Sequence, residues 1–170
     1  TGIMPIIDNA ALFRSVQVLR KIARKNNETG IFCNISAHSL SDGEFFQQFI
    51  EFMGDNRNLA GTIVFEFKQA AFDNLGPVEL ANLDALAELG FRFSLDNVTR
   101  LDLDGARLSD HGVRYVKIDA ETLIRPPRNA SANIHAADFA ALLARFGITL
   151  IATRVEMESQ VVDILDYDVN

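Results

Sequence analysis

The chain lacks tryptophan, has a single cysteine, and contains no apolar run long enough to cross a bilayer. Cys33 cannot close an internal disulfide, and its place in an apolar run predicts a buried structural thiol. No signal peptide, low-complexity segment or internal repeat is visible, so any membrane contact is expected only through segments outside this sequence. Positive charge is also short: 16 Lys and Arg stand against 23 Asp and Glu, a formal net charge of −7. Proteins that grip duplex nucleic acid neutralise phosphates with clustered cations, so the balance argues against that class of partner. It leaves room for a small nucleotide held by metals or by a few local cations.

What is present is a globular composition, 48% hydrophobic and 23% charged, with 13 phenylalanines against two tyrosines. That aromatic bias suits a packed interior. At 170 residues the chain is long enough for one domain with a real core, and residues 1–170 are expected to form a single domain.

Five strand-like runs carry polar residues near their ends: Ile31 to Ser36, Ile63 to Lys68, Phe91 to Asn97, Tyr115 to Asp119 and Thr149 to Glu156. Helical spacing lies between them. Leu12, Val16, Leu19, Ile22 and Ala23 predict a helix over about 8–26 with Asp8 as N-cap and Arg20, Lys21, Arg24 and Lys25 in its last turns. A second helix is predicted from Ser41 to about Met53, opened by a capping box over Ser41-Asp42-Gly43-Glu44. Others follow over about 77–89, with Pro77 at its first turn and Gly90 as its stop, over about 134–146 ended by Gly147, and over about 157–166. Arg125 to Ser131 is expected to be a loop insertion. Alternating strands and helices, with strands apolar on both faces, predict an α/β fold with parallel pairing and right-handed crossovers. In a parallel βα barrel the C-terminal strand ends converge on one face, where functional groups collect. A complete eight-fold barrel needs about 250 residues. The expectation is therefore an incomplete TIM-like barrel, part of a longer protein or a trimmed barrel.

Asn34, Glu66 and Asp96 fall on three successive strands and are hard oxygen donors suited to Mg²⁺, Mn²⁺ or Ca²⁺. Lys117 on the next strand can pair with a phosphate or orient a water. Asp119, two residues on, shares its face, because the strand period is two.

At these residues the chain resembles the EAL domain family of cyclic di-GMP phosphodiesterases. Cys33-Asn34-Ile35-Ser36 resembles the family's "VNLS", and Ser39 to Phe45 its "QLxDPxF". Phe65-Glu66-Phe67-Lys68-Gln69 resembles "LEITE", and Leu89 to Asn97 "LGVRLALDD". Val116-Lys117-Ile118-Asp119 resembles "LKID", and Ala152-Thr153-Arg154-Val155-Glu156 "AEGVE". Each motif is weak alone; in this order and spacing they are specific. The resemblance implies a barrel of the EAL type, without its first and last strands in this chain, that holds cyclic di-GMP at Asn34, Glu66, Asp96, Lys117, Asp119, Arg154 and Glu156. If a metal is retained, it implies Asn34, Glu66 and Asp96 as its ligands. No cofactor is required for binding alone, with Mg²⁺ or Ca²⁺ as candidate companions of the nucleotide.

The departures from the motifs bear on chemistry. Asn97 stands where the family has its second aspartate, Gln69 where it has the second glutamate of "ExxE", and Thr153 where "AEGVE" has the residue resembling a general base. A hydroxyl with no base beside it does not accept a proton at pH 7. The glycine-rich loop of the family is rewritten as Val98 to Asp104. Two-metal hydrolysis needs all of that apparatus, so the resemblance implies a catalytically inactive domain that acts as a cyclic di-GMP receptor. Arg154, in place of a glycine, either holds a phosphate without metal or fills the pocket. The alternative is a ligand-free interaction scaffold, in which Val98, Leu101 and Leu103 dock a protein partner or instead cover the domain's own helices. Within the family, the runs Gly30 to Ser36, Val64 to Phe67 and Phe91 to Asp96 resemble the divergent EAL domain of an alphaproteobacterial flagellar regulator. That resemblance implies a cytoplasmic domain of a membrane-anchored protein, with partners in signalling or polar flagellum assembly.

Overall fold

The computed structural model describes residues 3–22, 30–125 and 136–165. Among these, five strands form one sheet in the order β1-β2-β3-β4-β5: β1 (Ile31–Asn34), β2 (Ile63–Lys68), β3 (Arg92–Val98), β4 (Val113–Asp119) and β5 (Thr149–Thr153). The pairs β1/β2 and β4/β5 are parallel, as the alternation of strands with helices requires. The chain divides into two compact units, Thr1–Ser94 and Leu95–Asn170, with the boundary inside β3.

The first unit begins with α1 (Ile3–Ile22). This helix starts five residues before Asp8, so Asp8 lies inside it and is not its cap; residues 23–29, including Ala23, Arg24 and Lys25, lie outside the described residues. Leu12, Val16 and Leu19 are buried along one stripe, as their spacing predicts. After β1 comes a helix not foreseen in the sequence, α2 (Ala37–Ser41), whose N-cap Ser36 accepts the Ser39 N–H at 3.2 Å. Five residues are too few for a period to register. Ser41 belongs to this helix, so the predicted capping box gives way to a simpler start for α3 (Gly43–Asp55): Asp42 caps it and accepts the Phe45 N–H at 3.0 Å. Beyond β2 lie α4 (Gln69–Phe72) and α5 (Pro77–Glu88), the latter with proline in its first turn and Gly90 at φ +100° as its stop. The unit's core is a phenylalanine cluster. Phe65 on β2 meets Phe49 of α3, Phe91 and Phe93 at centroid distances of 5.6, 5.6 and 6.3 Å, and Phe67 meets Phe93 at 6.0 Å. Cys33, 4% exposed, is the buried thiol expected.

The second unit holds the rest of β3, then α6 (Gly105–Asp110), β4, α7 (Ala120–Ile124), α8 (Ala136–Ala144), β5 and α9 (Glu158–Leu165). Val116 and Ile118 on β4 and Leu150 on β5 bury one face of the strand pair. Residues 126–135, which hold most of the expected loop insertion, lie outside the described residues. Val98 and Leu101 are each 2% exposed and Leu103 is half-buried, so this stretch packs into the protein rather than offering an apolar surface. It ends at Asp104, which caps α6 by accepting the Arg107 N–H at 3.0 Å.

Candidate functional site

In the first unit, the parallel register sets Asn34 opposite Glu66. Cys33 and Phe65, one residue back on each strand, are likewise paired, and the pleat sends them to the opposite face, into the phenylalanine cluster. Asn34 and Glu66 therefore share a face, Asn34 exposed at the end of β1 and Glu66 only 6% exposed within β2. Gln69 follows as the first residue of α4 and is 3% exposed. An amide and a carboxylate side by side supply hard oxygen donors and, from the amide, a hydrogen-bond donor.

In the second unit, β4 and β5 run in a register that sets Lys117 opposite Ile151 and Asp119 opposite Thr153. Tyr115, Lys117 and Asp119 are half-buried and alternate with buried Val116 and Ile118, so the polar set occupies one face. The end of this pair is closed by side chains. Thr153 Oγ1 donates to Asp119 Oδ1 at 3.0 Å, and Arg154 Nη1 donates to Asp119 Oδ2 at 3.0 Å. Each oxygen of the carboxylate thus has its own donor, one of them charged.

Arg154 reaches this position from an unusual backbone. β5 stops at Thr153, short of the Glu156 expected in the strand, and Arg154 turns at φ +53°. Among the described residues, only one other non-glycine has positive φ, Asn97 at +52°, directly after Asp96. Asparagine tolerates this region; arginine does not favour it. Asp96 itself is half-buried on β3.

Glu156 follows β5 by three residues. It is exposed, its backbone N–H donates to Gln160 Oε1 at 2.9 Å, and it lines a cleft of about 180 Å³ with Glu121, Arg125, Gln160 and Asp163 of the α7–α9 region.

A model of the EAL domain matches residues 1–170, the whole chain. The chain belongs to the EAL domain family. No curated protein matches it. Solved structures of the same fold include the S helix-GGDEF-EAL portion of Vibrio cholerae LapD bound to c-di-GMP, 21% identical with a TM-score of 0.77 over 98% of this chain and 40% of that one. The Xanthomonas citri FimX EAL domain in complex with c-diGMP is 16% identical, TM-score 0.75, over 98% of this chain and 66% of that one. The PaMucR phosphodiesterase in its c-di-GMP complex is 15% identical, TM-score 0.70, over 97% and 73%. The chain thus spans less than half of the LapD structure it resembles.

Seen as an EAL domain, the strand-end residues divide into those that match the family's motifs and those that replace them. Asn34, Glu66, Asp96, Lys117 and Asp119 match. Thr153 and Arg154 replace Glu and Gly and engage Asp119. Sequence comparison marks Thr153 as a lost base and Arg154 as an added cation, but it misses that both donate to one carboxylate. The signal that could have revealed it is the register, since aligning the end of "LKID" with the start of "AEGVE" sets Asp119 against Thr153. No helix among the described residues is long and apolar enough to cross a membrane.

Proposed function

We propose that this EAL domain is a cyclic di-GMP receptor without phosphodiesterase activity. The observation that carries this reading is the state of Asp119. Its carboxylate accepts hydrogen bonds from the Thr153 hydroxyl and the Arg154 guanidinium. Where the family motif has a glutamate fit to deprotonate water, this chain has a hydroxyl already committed as a donor to a neighbour. A hydroxyl in that role accepts no proton from an attacking water. Binding needs no such base, and the motif residues Asn34, Glu66, Asp96, Lys117 and Asp119 remain as hydrogen-bonding and charged groups at strand ends. That the two compact units act as one domain is part of the proposal and is supported by the family match across 1–170. The burial of Val98 and Leu101 speaks against these two residues as a docking surface for a protein partner. Partners in signalling or flagellar assembly, and a cytoplasmic location, rest on the sequence resemblance alone.

Calorimetric titration of cyclic di-GMP into the protein, with chromatography of the mixture after prolonged incubation with Mg²⁺ or Mn²⁺, tests the proposal. The expected result is saturable binding with no linear dinucleotide. Measurable turnover would overturn the inactive assignment. Absence of binding by folded protein would overturn the receptor assignment. Glu66→Ala and Lys117→Ala are each expected to weaken binding, and unchanged affinity in both would move the ligand elsewhere.

A further inference from the structure

Asp119 lies outside the metal-ligand set that the resemblance implies, Asn34, Glu66 and Asp96, and as this chain presents it its carboxylate is not open to a divalent cation. A divalent cation binds a carboxylate through oxygen lone pairs. Here Oδ1 is occupied by Thr153 Oγ1 and Oδ2 by Arg154 Nη1, each at 3.0 Å. The guanidinium also adds a full positive charge beside any incoming cation. Among the described residues, no three His, Cys, Asp or Glu side chains gather in a way that could hold a metal ion.

We infer that Arg154 is a built-in cation that occupies Asp119 and keeps divalent metals from it. Two independent observations support this role. The Arg154 backbone is held at φ +53°, a conformation that β-carbon-bearing residues disfavour, and in that conformation its side chain bonds Asp119. The side chain is still 71% exposed, so the rest of its planar donor fork faces outward, where it can receive an anion such as a phosphodiester oxygen. A guanidinium is never deprotonated in a protein and does not exchange with solvent ions, so the positive charge is permanent and insensitive to chelators. The consequence for nucleotide binding rests on the receptor reading above; the exclusion of metal from Asp119 does not.

Mn²⁺ alone, followed by water-proton relaxation, tests the exclusion. The parent chain is expected to show no saturable uptake assignable to Asp119. Arg154→Gly, which restores the family's residue, is expected to bind Mn²⁺ at least about tenfold more tightly, because a like charge beside the site has gone. The double variant Arg154→Gly/Asp119→Asn is expected to lose that gain. Equal Mn²⁺ uptake by parent and Arg154→Gly would overturn the inference, as would a gain that survives in the double variant. Thermal melts of all three confirm that folded protein is being compared. With cyclic di-GMP as probe, the parent is expected to bind equally in EDTA and in Mg²⁺, whereas Arg154→Gly weakens in EDTA and recovers with Mn²⁺. Parental binding abolished by EDTA would overturn the inference. A parent that binds no nucleotide in any buffer would instead overturn the receptor reading, and the Mn²⁺ arm would still decide the role of Arg154.

Discussion

The two compact units of this EAL domain treat their strand-end polar groups in opposite ways. In Thr1–Ser94 the motif residues Asn34 and Glu66 stand across a parallel strand pair whose other face is sealed by phenylalanine. In Leu95–Asn170 the motif residue Asp119 is tied up by two residues that the family motif does not have, Thr153 and Arg154. Substitution at a site thus does not leave a gap. Where Thr153 and Arg154 depart from the motif, their side chains bond a neighbouring acceptor and give that strand end its own charge and donor pattern. The first unit depends on packing and the second on specific polar and steric contacts. Substitutions of decreasing effect test that contrast.

The costliest substitution falls in the first unit. Phe65 is 1% exposed and touches three other rings, so Phe65→Ala removes the centre of the cluster. Large-to-small changes of this kind cost about 3–5 kcal/mol. Urea unfolding should show a loss in that range, and a loss below about 1 kcal/mol would mean that the cluster does not hold the unit. Next is a close approach in the second unit. A β-carbon on Gly105 would overlap the Phe146 ring. Gly105→Ala must displace the ring and is expected to cost about 1–3 kcal/mol. Pairing it with Phe146→Leu should recover part of that loss, whereas no recovery would place the cost elsewhere.

A smaller comparison sets one cap against another. Asp42 and Asp104 make the same contact, accepting a backbone N–H three residues on at 3.0 Å, but α3 has 13 residues and α6 only six. Each Asp→Ala change is expected to cost about 1 kcal/mol. Hydrogen exchange should distinguish them, with faster exchange confined to the first turn of α3 but spread over all of α6, since a helix under two turns long has no interior to retain its bonds. Equal, local effects would show that α6 is held by packing of Leu108 rather than by its cap.

Much of this fold was legible in the sequence because its strands are apolar on both faces and its helices carry strong punctuation. Pro77 and Gly90 bracket α5 closely, and the stripe of Leu12, Val16 and Leu19 placed α1. The misreadings have physical causes. Ser41 and Asp42 both qualify as caps, and only the existence of α2 shows that Ser41 is already helical. Asp8 has the chemistry of a cap, but nothing local forbids a helix from running through it. Val98 is the last residue of β3 and Leu101 lies in the short irregular stretch after it, where no period registers, so their burial could not be told from an exposed docking patch. That Asn34, Glu66, Asp96, Lys117 and Asp119 lie on strands was legible, whereas Arg154 and Glu156 fall beyond the end of β5. What the site residues bond to was not legible, since Asp119 and Thr153 are separated by 34 residues and meet only through the β4/β5 register.

The smallest expected effect is also the most informative. Arg154→Gly changes stability in three ways that are similar in size and opposed in sign. The left-handed backbone of a non-glycine residue costs about 1–2 kcal/mol, so glycine relieves strain. Glycine also returns about 0.5–1 kcal/mol of entropy to the unfolded chain. The ion pair that disappears, with its arginine side chain 71% exposed, contributes about 0–1 kcal/mol. These effects cancel to within about 1 kcal/mol, so the variant should unfold close to the parent in urea. That near-neutrality separates two meanings of the arginine. If Arg154 were there to hold the second unit together, its removal would lower stability well beyond what an exposed ion pair contributes. If it is there for its charge at Asp119, stability stays almost unchanged while cation and ligand affinity move by about tenfold. A destabilisation above about 2 kcal/mol would assign the residue to the fold, and the contrast between a packed first unit and a charge-tuned second one would fall with it.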